Sequence, residues 1–398
     1  MADTRRTSGN GAIFQRANNG LWVGRIELPP GAGGKRRRKE VTATTLDRLQ
    51  SKLTDIRKQY LINGDLPTGS HTVRQWLTYW LDNIAVDRVR PNTLKGYRSV
   101  SKQIVDAIGT VRLDKLQATH IRRVHQHITG EGRTSTYALN AHRVLSRALK
   151  DAQAEGLIHR NVAAVVDAPK KTRTELNALS VEEAIDIIRA AKPELDGETD
   201  EYDPTPARRA TYLLTAMRRG EVLGLEWDRV IFAGDDSIID LSWQLQRITD
   251  ISTAPADYEY RPIRGSLYWT RPKSRAGWRV IPLVEPLRSI LAAHKRLAGT
   301  NGHGLVFTDA DGRPLDPDTE TAAWMAYAME KVGRRIRVHD IRHTTVDLLY
   351  AAGVAEDIII QIVGHSTVAM SRSYKSKQNR PQLVAAMKQL SASLGYES

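Results

Sequence analysis

A basic, proline-marked stretch, Pro169-Lys170-Lys171-Thr172-Arg173-Thr174, divides the chain into two parts whose hydrophobic patterns differ. Before it, residues 71–167 read as wholly helical. Val73, Trp76, Leu77, Trp80 and Leu81 fall at i, i+3, i+4, i+7 and i+8, which makes one broad apolar stripe. Pro91-Asn92-Thr93 is a helix start, with Tyr97, Val100, Ile104 and Ile108 behind it and Gly109 as a stop. A further helix is expected from Tyr137 to Gly156, with Leu139, Val144, Leu145 and Leu149 among its apolar residues. The paired Trp76 and Trp80 read as core rather than as a base-stacking platform. After the divide, Ser180 with Glu183 three residues on resembles a capping box. Glu194 to Pro206 is acidic and turn-rich, as a surface loop would be. Two strand-like segments, Ile238–Leu245 and Tyr268–Pro282, lie between helices, so residues 176–398 are expected to form a mixed, mainly helical α/β domain.

Residues 1–66 form a third, small α+β module. Trp22–Leu28 reads as a strand, Pro29–Gly34 as a turn, and Lys35-Arg36-Arg37-Arg38-Lys39 as a basic run entering a second strand near Val41. Leu46, Leu49, Leu53, Ile56 and Tyr60 recur at helical spacing. The module holds 13 Lys or Arg against 6 Asp or Glu, so 13 − 6 = +7, half the net charge of +14. Cations carried between two strands suggest a small sheet presenting Lys35, Arg36, Arg37, Arg38 and Lys39 to DNA.

Three domains fit a length of 398 residues, and an apolar share of 41% is enough to fill their cores. With 59 basic residues against 45 acidic, the chain favours polyanionic partners. The sequence has no cysteine, which excludes disulfides and thiolate metal sites, and no HExxH or comparable metal spacing occurs. Met1 to Gly11 is polar and no run approaches membrane-spanning length, so a cytoplasmic protein without a membrane partner is expected.

The chemistry concentrates near the C-terminus. His339-Asp340-Ile341-Arg342-His343 puts a His and an Arg on one helix face. Gly364-His365-Ser366 follows, and then Tyr374. Upstream lie Thr215-Ala216-Met217-Arg218-Arg219-Gly220-Glu221 and a hairpin-like segment with Lys273, the only lysine between Lys192 and Lys295. Each motif alone is common by chance; all of them in this order are not.

Together these motifs resemble the catalytic signature of the tyrosine recombinases, and more narrowly the phage-type integrases. The segment TAMRRGEVLGLEW resembles the family's "T-G-L-R-x-x-E" box, with Ala216 and Met217 in place of Gly and Leu. The resemblance implies metal-free phosphodiester cleavage without any cofactor. Arg218 and Arg342 would clamp the phosphate, since a guanidinium fork binds two oxygens and keeps its charge. Glu221 would buttress Arg218, with Arg219 facing solvent. Lys273, on the family's β-hairpin, would protonate the leaving oxygen. His339 would accept a proton or bind the phosphate, His343 would help order the site, and His365 would hydrogen-bond the scissile phosphate. Tyr374 would attack, leaving a 3′-phosphotyrosine and a free 5′-hydroxyl.

The same resemblance implies an arm-type DNA-binding domain over 1–66, a helical core-binding domain over 71–167 and the catalytic domain over 176–398. The implied partners are double-stranded DNA at core and arm attachment sites, a homotetramer on that DNA, a host DNA-bending protein and an excisionase. The implied role is integration, and excision, of a phage or mobile element in a bacterial host. A host-type dimer-resolution recombinase, a type IB topoisomerase and a DNA-binding regulator with an inactive catalytic domain remain as alternatives.

Overall fold

In the computed structural model, residues 12–28, 37–63, 71–172, 177–191, 202–273, 277–364 and 380–396 are described. The chain divides into two compact units, residues 1–88 with 93–172, and residues 89–92 with 173–398.

The first unit begins with a three-stranded antiparallel sheet, β1 (Ala12–Gln15), β2 (Trp22–Leu28) and β3 (Arg37–Ala43), in that order. Only two of these strands are expected from the sequence, because β1 is short and lacks alternation. Helix α1 (Leu46–Asn63) covers one face of the sheet. Its Leu49 and Leu53 pack with Ala43 against Trp22, Ile26 and Val41. The fit is close, since a Cβ on Gly24 would lie 2.8 Å from Leu53 Cδ1.

The expected turn Pro29–Gly34 lies outside the described residues, as do Lys35 and Arg36. Arg37, Arg38 and Lys39 are not linker residues but part of β3 itself. Arg38 and Lys39 are exposed, and Arg38 lies opposite Glu27, at 3.5 Å.

The rest of this unit is helical: α2 (Val73–Trp80), α3 (Pro91–Ile108), α4 (Ala118–Gly130) and α5 (Ser135–Ala154). Thr72 and Gln75 cap α2 reciprocally, which satisfies amides that the first helical turn leaves unpaired. All five residues of the α2 stripe are buried. Trp76 and Trp80 belong to the core, as expected. Each indole meets its polar requirement on α5, Trp76 Nε1 at Ala148 O (2.9 Å) and Trp80 Nε1 at Asp151 Oδ2 (2.6 Å). Burying a Trp is worth about 4–6 kcal/mol before the entropy of ordering is subtracted. His125 and His142 face one another at 3.1 Å, and burial lowers the pKa of both.

In the second unit, Ser180 and Glu183 form the expected capping box at the start of α6 (Val181–Arg189). Helix α7 (Thr205–Thr215) already includes Pro206, so the expected loop ends earlier than the sequence suggested; residues 192–201 lie outside the described set. A short α8 (Arg219–Leu223) precedes two small antiparallel sheets. One joins β4 (Val230–Ile231), β5 (Ile238–Asp240) and β9 (Val280–Pro282). The other has the order β6 (Gln244–Arg247), β8 (Leu267–Thr270), β7 (Tyr260–Arg264).

Consequently β8 and β9 do not pair with each other, and the hairpin expected around Lys273 is instead a link between sheets. Gly224 lets α8 sit directly on β6, because a Cβ there would come within 2.4 Å of Leu245 N. Helices α9 (Leu287–Leu297), α10 (Pro317–Val332), α11 (Val338–Ala351), α12 (Glu356–Val363) and α13 (Arg380–Ser393) complete the unit. Helix α7 lies in its core, with Tyr212, Leu213 and Leu214 buried. Among the described residues of the whole chain, no helix is long and apolar enough to cross a membrane.

Candidate active site

Three arginines from three separate segments meet at the C-terminal end of α12. Arg279 Nε donates to Ile362 O at 2.7 Å, Arg342 Nη2 donates to Val363 O, and Arg218 Nη2 donates to Gly364 O at 3.0 Å. These carbonyls carry the partial negative charge of a helix terminus, so they attract cations and hold them in place. Gly364, at φ 71°, ends the helix in the left-handed region.

Glu221 lies beneath the cluster. Its two carboxylate oxygens accept from Arg279 at 3.0 and 2.9 Å. They also take the backbone amide and Nη1 of Arg218, both at 2.8 Å. Arg218 is therefore both the N-cap of α8 and an arginine held by that helix's third residue. Three guanidiniums against one carboxylate leave a net charge of +2. Arg342 and Arg279 are nearly inaccessible (3% and 4%), whereas the Arg218 side chain is 37% exposed and forms the open edge of the cluster.

The electrostatics follow from this packing. Burial alone would raise the Glu221 carboxyl, but Arg279 and then Arg218 bring it down to about 2. Burial, reinforced by Arg218 and Arg279, draws Arg342 down to about 9, which still leaves it cationic at neutral pH. Arg342 also donates from Nη1 to Ala216 O at 2.7 Å. Ala216 occupies the left-handed region (φ 52°), a conformation that suits glycine better.

The profile of the "Phage integrase family" matches residues 181–380, and that of the "Phage integrase, N-terminal SAM-like domain" matches residues 72–128. The chain belongs to the phage integrase family. An integrase of Saccharopolyspora erythraea is 27% identical over 421 residues, covering 93% of this chain and 94% of its own. Among solved structures, the Tn1549 transposon integrase in complex with transposon right end DNA superposes with a TM-score of 0.61 at 18% identity, over 78% of this chain and 98% of that one. A lambda integrase tetramer bound to a Holliday junction gives a TM-score of 0.54 at 17% identity, over 94% and 100%. The fold is thus that of a tyrosine recombinase catalytic domain with an N-terminal SAM-like domain.

In this integrase, His339 and Arg342 share α11, as their spacing requires. The His339 and His343 rings stand perpendicular with centroids 5.1 Å apart. Partial burial, then His343 and Arg342, lowers the His339 pKa, so its neutral imidazole can accept a proton. Asp340 is buried and caps α11, taking the Arg337 amide at 3.0 Å. Lys273 is exposed on the link between β8 and β9, a few residues before Arg279. His365 and Tyr374 lie outside the described residues.

One orientation differs from expectation. Arg219 is half-buried rather than solvent-facing, and it donates to Pro317 O (2.8 Å) and Thr321 Oγ1, which ties α8 to the start of α10. Arg279 was missed from sequence. Its signal was available: with period two, Arg279, the residue just before β9, falls on the same side of the chain as Ile281, an obvious core residue. A cation on an inward-facing position calls for a buried acceptor.

Proposed function

We propose that this integrase cuts and rejoins DNA at specific sites through a 3′-phosphotyrosine intermediate, with Arg218 and Arg342 holding the nonbridging oxygens. The observation that carries this reading is the cationic cluster at the end of α12, with its charge in excess of Glu221. The family's first arginine reaches that cluster from α8 and its second from α11. Tyr374 Oη forms a bond to phosphorus as the P–O5′ bond breaks. His339 accepts the phenol proton, and Lys273 gives one to the departing oxygen. His365, immediately after Gly364, adds a hydrogen bond to the phosphate, and His343 steadies His339. A second 5′-hydroxyl then reverses the exchange, so bond energy is conserved without a cofactor.

The helical domain at 71–167 grips core-site DNA, and four catalytic domains (176–398) act together, as the lambda integrase tetramer on a Holliday junction suggests. Residues 1–66 bind separate arm sites through exposed cations such as Arg38 and Lys39. A host DNA-bending protein and an excisionase set the direction, in the cytoplasm of the bacterial host.

Covalent trapping tests the chemistry, using nicked duplex carrying attachment DNA in the presence of chelator. Wild type gives an SDS-resistant adduct and Tyr374→Phe gives none; an adduct that survives in Tyr374→Phe would reject this nucleophile. Deleting residues 1–66 abolishes integration but spares core-site cleavage. Loss of both would remove the arm-site assignment.

A further inference from the structure

Five planar groups, three indoles alternating with two guanidiniums, form a row beside the β6–β8–β7 sheet. Trp269 begins the row inside the unit, where its Nε1 donates to Gly224 O at 2.9 Å, just past the end of α8. The Arg261 guanidinium lies 4.6 Å from the Trp269 ring centroid and 4.4 Å from that of Trp243. The Arg271 guanidinium lies 3.9 Å from Trp243 and 4.5 Å from Trp278. Each cation is thus sandwiched between two indoles, and each has further anchors. Arg261 grips Glu226 at 3.2 and 2.6 Å, while Arg271 reaches Glu259 at 3.0 Å and Ser242 O at 3.2 Å.

The outer end of the row coincides with the segment that carries Lys273. Arg271 and Trp278, stacked on one another, flank Pro272, Lys273 and Gly277 in sequence. Pro272 and Gly277 touch as well, since a Cβ on Gly277 would fall 2.4 Å from Pro272 Cβ. The next residue after Trp278 is Arg279, bidentate on Glu221 of α8. The two legs of the segment are therefore fastened at and just past α8, one through the stack to Gly224 at the helix's C-cap and the other through Arg279 to Glu221 within it.

We propose that this indole–guanidinium stack is a positioning device that sets where Lys273 enters the site relative to Arg218. The inference rests on the proton-donor role given to Lys273 above. A lysine is a point charge on a flexible four-carbon stem, and from an exposed link it has many places to go. General-acid catalysis needs placement to a fraction of an ångström. Closing the legs of the segment narrows the region that the ammonium can reach. Planar guanidiniums suit the task because they stack flat on aromatic rings, which an ammonium cannot do.

The test compares single-turnover cleavage of a nicked duplex whose scissile phosphate has its normal 5′-bridging oxygen with the same duplex carrying 5′-bridging sulfur. On cleavage the P–S bond breaks and a thiolate departs, which needs no proton donor. Trp243→Leu removes the plane that both arginines share. Arg271→Lys keeps the charge but not the plane, at a position that is only half-buried. Both variants are expected to slow the oxygen substrate by about tenfold or more and the sulfur substrate by less than about twofold. Trp243→Phe, which retains a ring, restores cleavage of the oxygen substrate.

Equal slowing on both substrates, or no slowing on either, would overturn the proposal. Lys273→Ala runs alongside. If sulfur fails to rescue Lys273→Ala, the donor role of Lys273 falls. If sulfur rescues Lys273→Ala but not Trp243→Leu, only the positioning role is lost.

Discussion

The helical bundle of residues 71–172 and the catalytic unit that follows are both closely packed, yet they bury different things. Among the described residues, the buried polar side chains of the bundle are Ser101 and His142. The catalytic unit buries Arg208, Glu221, Glu226, Arg279, Glu320, Asp340 and Arg342. Every buried charge in the described chain is thus on the side that carries the proposed chemistry. An apolar core tolerates changes of shape as long as volume is kept. A buried charge tolerates little, because removing its partner strands an ion that water cannot reach. The catalytic unit therefore accepts fragility in order to hold its buried cations in fixed positions.

The largest effect expected from this contrast is at Glu221. Glu221→Gln removes the charge that faces buried Arg279 and should cost about 3–5 kcal/mol, read as a fall in the catalytic unit's denaturation midpoint. The loss has a pH signature. The carboxyl is lowered from an ordinary 4.5 to about 2, so its stabilisation is complete above pH 4.5 and disappears as pH falls towards 2. This amounts to about 3 kcal/mol, and the gap between wild type and Glu221→Gln should narrow through that window. A gap independent of pH would mean that packing, not charge, holds the cluster.

A matched swap in the bundle should be much milder. Leu145→Met, at a fully buried position of α5, should cost less than about 1.5 kcal/mol in chemical denaturation. A loss as large as that of Glu221→Gln would erase the contrast between the two units.

The smallest effect has the opposite sign. Ala216 is held in a left-handed conformation where Arg342 takes its carbonyl. Ala216→Gly should relieve that strain and raise stability by roughly 0.5–1 kcal/mol, visible as a higher melting temperature. No gain would mean that the turn holds no strain at this residue.

Much of this architecture is legible in the residues. The α2 stripe is buried throughout, α11 places His339 and Arg342 on one helix, and Ser180 caps α6 as its spacing says. These are local facts, set by a helical repeat or by a side chain three residues from its partner. The errors are non-local. Tyr268–Pro282 reads as one strand-rich segment, yet β8 and β9 join different sheets, because alternation marks a strand's faces and not its neighbours. Arg219 looks exposed beside Arg218 until α10 arrives to supply Pro317 O and Thr321.

By itself, the sequence determined the helix faces, the cationic excess and the set of chemically capable side chains, since these depend on spacing and composition alone. Only the tertiary structure decided that Arg218, Arg279 and Arg342 converge on the carbonyls of residues 362–364, and that Arg218 and Arg279 share Glu221. The reason is physical: the acceptors that orient each guanidinium lie far away along the chain, and only packing brings them within hydrogen-bonding distance.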